Sequence, residues 1–350
     1  MSKIKVNRLE NTSTANGGID IDTSGHVQVD GLQMPTAGAL SNRNLIINGA
    51  MQVAQRGTSQ TGAGYGSIDR FSLSLSGATA TMSQESFTLG QTDVPGADKY
   101  LKLDVSTGNN NSGIFYKIEA QNVYHVINNT VTLSYYAKGT SPTNGLKVGI
   151  MWYDGSNPST RVTESVTLTN SWVKYTHTFT VPSISGITLT NSAAFLEVSM
   201  TQDNGDTGTA AYEVNLAQVQ LEVGSKATPF EHESYGQTLA KCQKYFYRKL
   251  AFNAQPVWLY SDTAGSTQIH FPTEMRANPT FSYSGTLATD INIYYGPSAA
   301  YRSFSGLGGS AASRQSARID VTGISPAVTA GYSLGLYVFN NAYLDFDAEL

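Results

Sequence analysis

Three carboxylates close to the C-terminus, Asp345, Asp347 and Glu349, alternate with Leu344, Phe346, Ala348 and Leu350. A period of two places all three on one strand face, at a spacing that would suit a glycosidase, whose two carboxyl groups stand roughly 5–10 Å apart. The apolar partners claim the core side, so the acids read as a solvated face with nothing to raise a pKa. Asp20, Asp22 and Asp30 lack the ligand spacing of a calcium loop and read as a polar hairpin face. The five histidines (His26, His125, His177, His232 and His270) are scattered, with no i, i+4 pair and none close to Cys242, which excludes a sequence-local zinc site. Cys242 falls on an apolar helix stripe and reads as a buried, inert thiol. No GxSxG, HExxH, Walker or strand-linked GxGxxG sequence occurs. The expectation is a protein that is not an enzyme and uses no cofactor and no metal.

The aromatic residues point elsewhere. Tyr and Trp present a flat apolar face and a polar tip, the combination that a sugar ring needs. Trp152-Tyr153 runs into the loop Asp154–Asn157, Trp258 and Tyr260 lie early in the last third, and Tyr294-Tyr295 and Tyr301 flank Gly296-Pro-Ser. The candidate glycan-binding residues are Trp258, Tyr295 and Tyr301, then Trp152 and Tyr153. Loops of a C-terminal domain are the expected place for them. Trp172, at the start of a strand, reads as core.

The elements that must hold these side chains are strands. Charged residues are only 14% of the 350, while Gly (33) and Tyr (20) are plentiful, which suits short strands and tight turns. The formal charge of -4 offers no basic patch for nucleic acid. No apolar run approaches the ~20 residues of a membrane span, no secretory signal is visible, and one cysteine permits no intrachain disulfide, so synthesis in a cytoplasm is expected.

The chain reads as mostly β, in five parts. Residues 1–41 are an N-terminal hairpin segment, with Ile19–Asp22 and His26–Val29 alternating around Thr23-Ser-Gly25. Residues 42–66 form a connecting strand block in which Leu45–Ile47 and Met51–Val53 flank the turn dipeptide Asn48-Gly49, with Asn44 and Asn48 bonding backbone. Residues 67–232 make an antiparallel β-sandwich of jelly-roll type with about eight strands. Residues 233–250 are one linking α-helix, with the stripe Tyr235, Leu239, Cys242 and Phe246 and a capping signature at Ser234 and Gln237. Residues 251–350 return to strands as a C-terminal β-sandwich.

Several of these segments carry a resemblance. NRNLIINGAMQVAQRG (42–57), Ser67–Phe71, YYAKG, WVKYTHTF and AQVQLEVGSKATPFEHESYGQTLAKCQKYF resemble tail-fibre and receptor-binding proteins of tailed phages, especially marine and cyanobacterial ones. FPTEMRANPT (271–280) and the terminal DAEL are similar to C-terminal domains of such proteins, and the middle domain is similar in pattern to carbohydrate-binding jelly rolls. The resemblance implies a homotrimeric virion fibre that binds host cell-surface glycan; residues 1–41, a marginal hairpin that would order on docking, are the expected attachment to virion tail or capsid proteins, and neither nucleic-acid binding nor membrane insertion is expected. It supplies no catalytic residues. Two alternatives stay open: a purely structural appendage, capsid-decorating or tail-connecting, and a glycan-degrading tailspike.

Overall fold

Alternating apolar residues pair across strands almost everywhere that the sequence allows it. A computed structural model describes residues 8–10, 18–21, 27–29, 32–33, 42–108, 112–142, 144–189, 193–202, 210–329 and 331–350. The chain divides into two units, Met1–Ser234 with Leu350, and Tyr235–Glu349. Among the described residues no helix is long and apolar enough to cross a membrane.

The first unit begins with a small antiparallel sheet of β1 (Arg8–Glu10), β2 (Gly18–Ile21), β3 (Val27–Val29) and β4 (Leu32–Gln33), in that order. Ile19 pairs with Val29 and Ile21 with Val27, the register expected of the hairpin. The turn Thr23–Gly25, with Asp22, His26 and Asp30, lies outside the described residues. Leu9 and Ile19 are also paired, so Leu9, Ile19, Ile21, Val27 and Val29 share one face, and all five are exposed. Asp20 meets Arg8 at 3.1 Å on the other face, an ion pair rather than a metal ligand set.

The sandwich uses β5 (Ser59–Gln60), β6 (Phe71–Ser74), β7 (Thr79–Ser86), β8 (Lys99–Thr107), β9 (Gly113–Glu119), the one-turn helix α1 (Ala120–Val123), β10 (Thr130–Thr140), β11 (Leu146–Tyr153), β12 (Val162–Val166), β13 (Val173–Thr180), β14 (Phe195–Gln202) and β15 (Tyr212–Val223). They form a six-stranded sheet, β13-β10-β15-β8-β7-β5, and a five-stranded sheet, β12-β11-β14-β9-β6. The core between them holds Leu101, Leu103, Leu133, Tyr135, Val148, Ile150, Trp152, Phe179, Leu196 and Val198.

The block after residue 41 departs from expectation. Residues 45–47 and 51–53 are not strands, and β5 is the one strand between 42 and 66. Asn48 and Met51 adopt φ of 62° and 58°, outside the range of a regular strand. The segment instead clamps β15. Leu45 N–H donates to Leu221 O (2.8 Å), Asn44 Nδ2 to Val219 O (3.0 Å), and Leu221 N–H to Asn44 Oδ1 (3.1 Å). Gly49 is required here, since a Cβ would stand 2.1 Å from Val219 O. The far end of β15 completes the clamp. Buried Glu222 accepts bonds from Thr228 N–H (2.8 Å), Thr228 Oγ1 (2.7 Å) and Gln220 Nε2 (2.9 Å). Glu231 then caps the backbone N–H groups of Asn42 and Asn44 at 2.6 and 2.9 Å. The two end motifs of the resemblance are therefore one structural clasp.

The second unit opens with α2 (Tyr235–Gln243), shorter than the expected 233–250 because Phe246 already starts a strand. Thr238 and Cys242 are its buried residues. Tyr235 is exposed, which removes it from the stripe. The strands are β16 (Phe246–Ser261), β17 (Ala264–His270), β18 (Thr280–Ser284), β19 (Ile291–Tyr295), β20 (Ala300–Arg302), β21 (Gly306–Ala312), β22 (Ser316–Thr322) and β23 (Ser333–Asp347). They make one eight-stranded sheet, β20-β19-β23-β16-β17-β22-β21, with β18 beside β23. The C-terminal sandwich is thus a single sheet that curls over its own core of Ile269, Ile291, Ile293, Ile319, Leu336, Leu344 and Phe346. Asp345 is not on a solvated face. It is buried and bound by Arg248 through Nε (2.8 Å) and Nη2 (2.7 Å).

Candidate functional site

Strand parity decides which rings face out. In β16, Val257 and Leu259 point into the core, so Trp258 and Tyr260 point away from it, and the Trp258 ring is 71% exposed. A bulge fixes this phase: Ala254 has φ of 56°, and the register with β23 slips between Phe252 and Gln255. Trp258 then pairs with Ser266 of β17 on one side and Ser333 of β23 on the other.

A groove opens next to this residue because Pro256 cannot continue the ladder. Extending the β16–β17 register would bring Pro256 opposite Gln268, but proline has no N–H to donate. The Gln268 carbonyl accepts instead from Gln255 Nε2 at 3.2 Å. The strands part, and a groove of about 790 Å³ forms between Trp258, Pro256, Gln268, Ser316, Arg318 and Tyr332, among others. Tyr332 comes from the connection before β23, is 52% exposed and stands edge-on to Tyr295 at 6.0 Å. Gln268 Nε2 donates to Ser316 Oγ at 2.9 Å. Arg318 pairs with Asp320 at 2.8 Å and lies 5.6 Å from the Tyr260 ring centre. The wall is thus one exposed indole, one exposed phenol, small hydroxyls, an amide and a neutralised guanidinium. It can stack and hydrogen-bond.

The other candidates fall in different places. Trp152 is fully buried in the first unit, with Nε1 donating to Pro182 O at 3.0 Å, so it cannot stack on a ligand. Tyr153 is half-buried against Phe195, with centroids 5.1 Å apart. Tyr295 is only 8% exposed and belongs to the second core, because Ile291, Ile293 and Tyr295 are in phase on β19. Tyr301 is 52% exposed and packs edge-on to Tyr294 (5.4 Å), Tyr337 (5.8 Å) and Phe339 (5.8 Å). Trp172 is not core but half-buried, in a surface cluster with Phe87 (5.1 Å), Tyr100 (5.4 Å) and the Lys138 ammonium (5.2 Å). Of the five candidates, only Trp258 lines the groove. Tyr332, Gln268, Ser316 and Arg318 were not singled out by sequence. For Gln268 and Arg318 a signal existed, since both alternate with core residues on their strands.

One arrangement elsewhere has catalytic composition. Tyr135 hydroxyl meets His177 Nε2 at 3.0 Å, and His177 Nδ1 meets Glu164 at 2.7 Å. Yet Tyr135 has no exposed surface, and burial pushes its phenol well above the ordinary range. With no room for a substrate beside the hydroxyl, the chain ties β10 and β13 to the edge strand β12. Burial likewise raises Glu197, which Arg161 engages at 2.6 Å. Among the described residues no three His, Cys, Asp or Glu side chains converge as a metal site.

No protein-family model matches this chain, and no curated protein matches it in sequence. Among solved structures it is similar to the enzymatically active domain of tailspike protein 4 from bacteriophage CBA120, at 14% identity and TM-score 0.33 over 52% of this chain. The match covers 21% of that protein, so the chain spans about a fifth of its length. It is also similar to the CBM22-2 xylan-binding domain of Xyn10C from Paenibacillus barcinonensis (15% identity, TM-score 0.31, 46% of this chain and 98% of that one). A third is a putative sugar-binding protein from Bacteroides thetaiotaomicron (12% identity, TM-score 0.29, 52% and 100%). All three superpositions are loose.

Proposed function

We propose that this chain is a non-enzymatic attachment protein that binds glycan on a host surface through the Trp258 groove. The observation that carries the reading is Trp258 itself: a tryptophan 71% exposed in mid-strand, beside a groove lined by hydroxyl and amide groups. A large exposed ring with convergent polar groups is the make-up of a sugar site. The segment resemblance set out above extends the reading to a phage virion fibre, held to tail or capsid proteins by residues 1–41. The exposed aliphatic face of β1–β3 supports self-association, because burying Leu9, Ile19, Ile21, Val27 and Val29 against a second copy is favourable, and the segment resemblance makes the proposed assembly a homotrimer.

The test is retention on immobilised host polysaccharide and on a glycan array, for wild type and Trp258→Ala, with the same samples sized by light scattering. Retention of wild type, lost several-fold in the variant, is expected, since a stacking contact is worth on the order of 1 kcal/mol. No retention by wild type would leave the purely structural appendage standing. Release of soluble sugar would establish a tailspike enzyme instead, and a monomeric mass would remove the trimer.

A further inference from the structure

The Trp258 groove is one end of a longer surface. Tyr301 of β20 pairs with Tyr294 of β19, Tyr294 with Gly335 of β23, and Gly335 with Pro256 of β16. Residues paired in register share a face, so this row lies on the same side of the sheet as Trp258, two residues further along β16. Tyr337 and Phe339 follow Gly335 on that face, since Leu336 and Val338 point into the core. The row therefore starts in the ring cluster around Tyr301, passes Gly335 under the Tyr337 ring and then Pro256, and ends at Trp258 and the groove. Gly335 makes room for a ring from its own strand: a Cβ there would stand 2.8 Å from Tyr337 Cε2, so the Tyr337 ring lies over the glycine. Three strand intervals of about 4.8 Å separate β20 from β16, and Trp258 lies two residues, about 7 Å, further along, so the two aromatic stations are roughly 16 Å apart.

We infer that this face is a track for the interior of a linear, neutral polysaccharide, lying across the strands with Trp258 as one stacking station and Tyr301 as the other. The inference rests on the glycan-binding reading above. Linearity follows from the row: two exposed ring stations joined by a continuous row of outward-facing Tyr and Pro side chains suit an extended chain, whereas a terminal sugar would use the groove alone. Neutrality follows from charge. Arg318 is the one charged side chain lining the groove among the described residues, and Asp320 already neutralises it at 2.8 Å.

Affinity gel electrophoresis against xylan, galactomannan, mixed-linkage β-glucan and the anionic polymer alginate tests this with the full chain. Retardation by at least one neutral polymer, unchanged at about 0.5 M salt, where charge pairing is screened, is expected. Titration with size-fractionated fragments of the retained polymer should then show affinity rising tenfold or more from disaccharide to hexasaccharide. Tyr301→Ala should remove most of that gain and leave disaccharide binding unchanged, and Tyr301→Phe should restore it. If affinity is independent of length, or Tyr301→Ala is silent while Trp258→Ala still abolishes binding, the track is wrong and the groove stands. Retention by alginate alone overturns neutrality. A change of oligomeric size in Tyr301→Ala would make the cluster an interface between copies and overturn the track. If wild type is retained by no glycan at all, on these gels or on the array, the glycan-binding reading falls and takes the track with it.

Discussion

Replacing Asn48 probes the clasp on which the first unit closes. The side chain is buried, 3% exposed, and makes three bonds: Oδ1 accepts from Val53 N–H (3.0 Å), and Nδ2 donates to Val53 O (2.9 Å) and Asp69 O (3.0 Å). Val53 O keeps a second donor, Asp69 N–H at 3.0 Å. Truncation therefore strands Val53 N–H and removes one donor each from Val53 O and Asp69 O. A buried group left unpaired costs about 1–3 kcal/mol, and each of the two other bonds is worth about 1 kcal/mol, so the side-chain loss comes to about 3–5 kcal/mol. The backbone adds a second contribution. Asn48 has φ of 62°, which asparagine and glycine tolerate and alanine does not, at about 1 kcal/mol or more. Asn48→Gly should then lose about 3–5 kcal/mol and Asn48→Ala about 1 kcal/mol more. Denaturant unfolding can be followed by the blue-shifted emission of Trp152, which is fully buried in this unit. Losses below about 0.5 kcal/mol for both variants, or a larger loss for glycine than for alanine, would refute the reasoning.

Two further expectations concern carboxylates. Asp345→Ala should destabilise the second unit by about 2–4 kcal/mol, because it leaves Arg248 without its two-pronged partner in a largely buried setting; a change within about 0.5 kcal/mol in thermal or denaturant melts would return the residue to a solvated face. The Asp154 carboxyl is held down to about 2 from an ordinary 3.8, chiefly by the Asn157 N–H (2.6 Å) and then the Ser156 N–H (2.8 Å). A depressed carboxylate contributes stability that is present above its unfolded value and lost as the pH falls through the folded one. The loop should therefore loosen between about pH 4 and pH 2, and a carboxyl-carbon NMR titration with a midpoint near the ordinary 3.8 would contradict it.

What the sequence revealed, and what it hid, follows from which forces are local. Leu146–Tyr153 was legible to the residue because alternation and burial coincide there. Thr79–Ser86 was not, because TATMSQES buries only Ala80 and Met82 and becomes a strand through its pairing with β8. Val162–Val166 is an edge strand whose first four residues are exposed, so it leaves no apolar signature. Asn48-Gly49 reads as a turn, yet its flanks only mimic strands: Ile46 and Met51 are apolar because they plug the core, and Val53 because it is fully buried, long-range contacts that copy a strand pattern.

The two tryptophans show that parity carries more information about a site than proximity to a loop. Trp152 and Trp258 both precede turn sequences. Trp152 is in phase with Leu146, Val148 and Ile150 and is core; Trp258 is out of phase with Val257 and Leu259 and is surface. The same test separates Tyr294 from Tyr295, which follows Ile291 and Ile293. It also changes the expected character of binding. A ring on a loop must be ordered when ligand arrives, at about 0.5–1.5 kcal/mol per side chain. Trp258 stands on a backbone paired on both sides, by Ser266 and Ser333, and its exposure is held in place by the Pro256 break and the Ala254 bulge. The ordering cost is largely met by folding, so a modest stacking contact can show nearly its full value in affinity, and a weak single site repeated on identical chains can hold a surface through avidity.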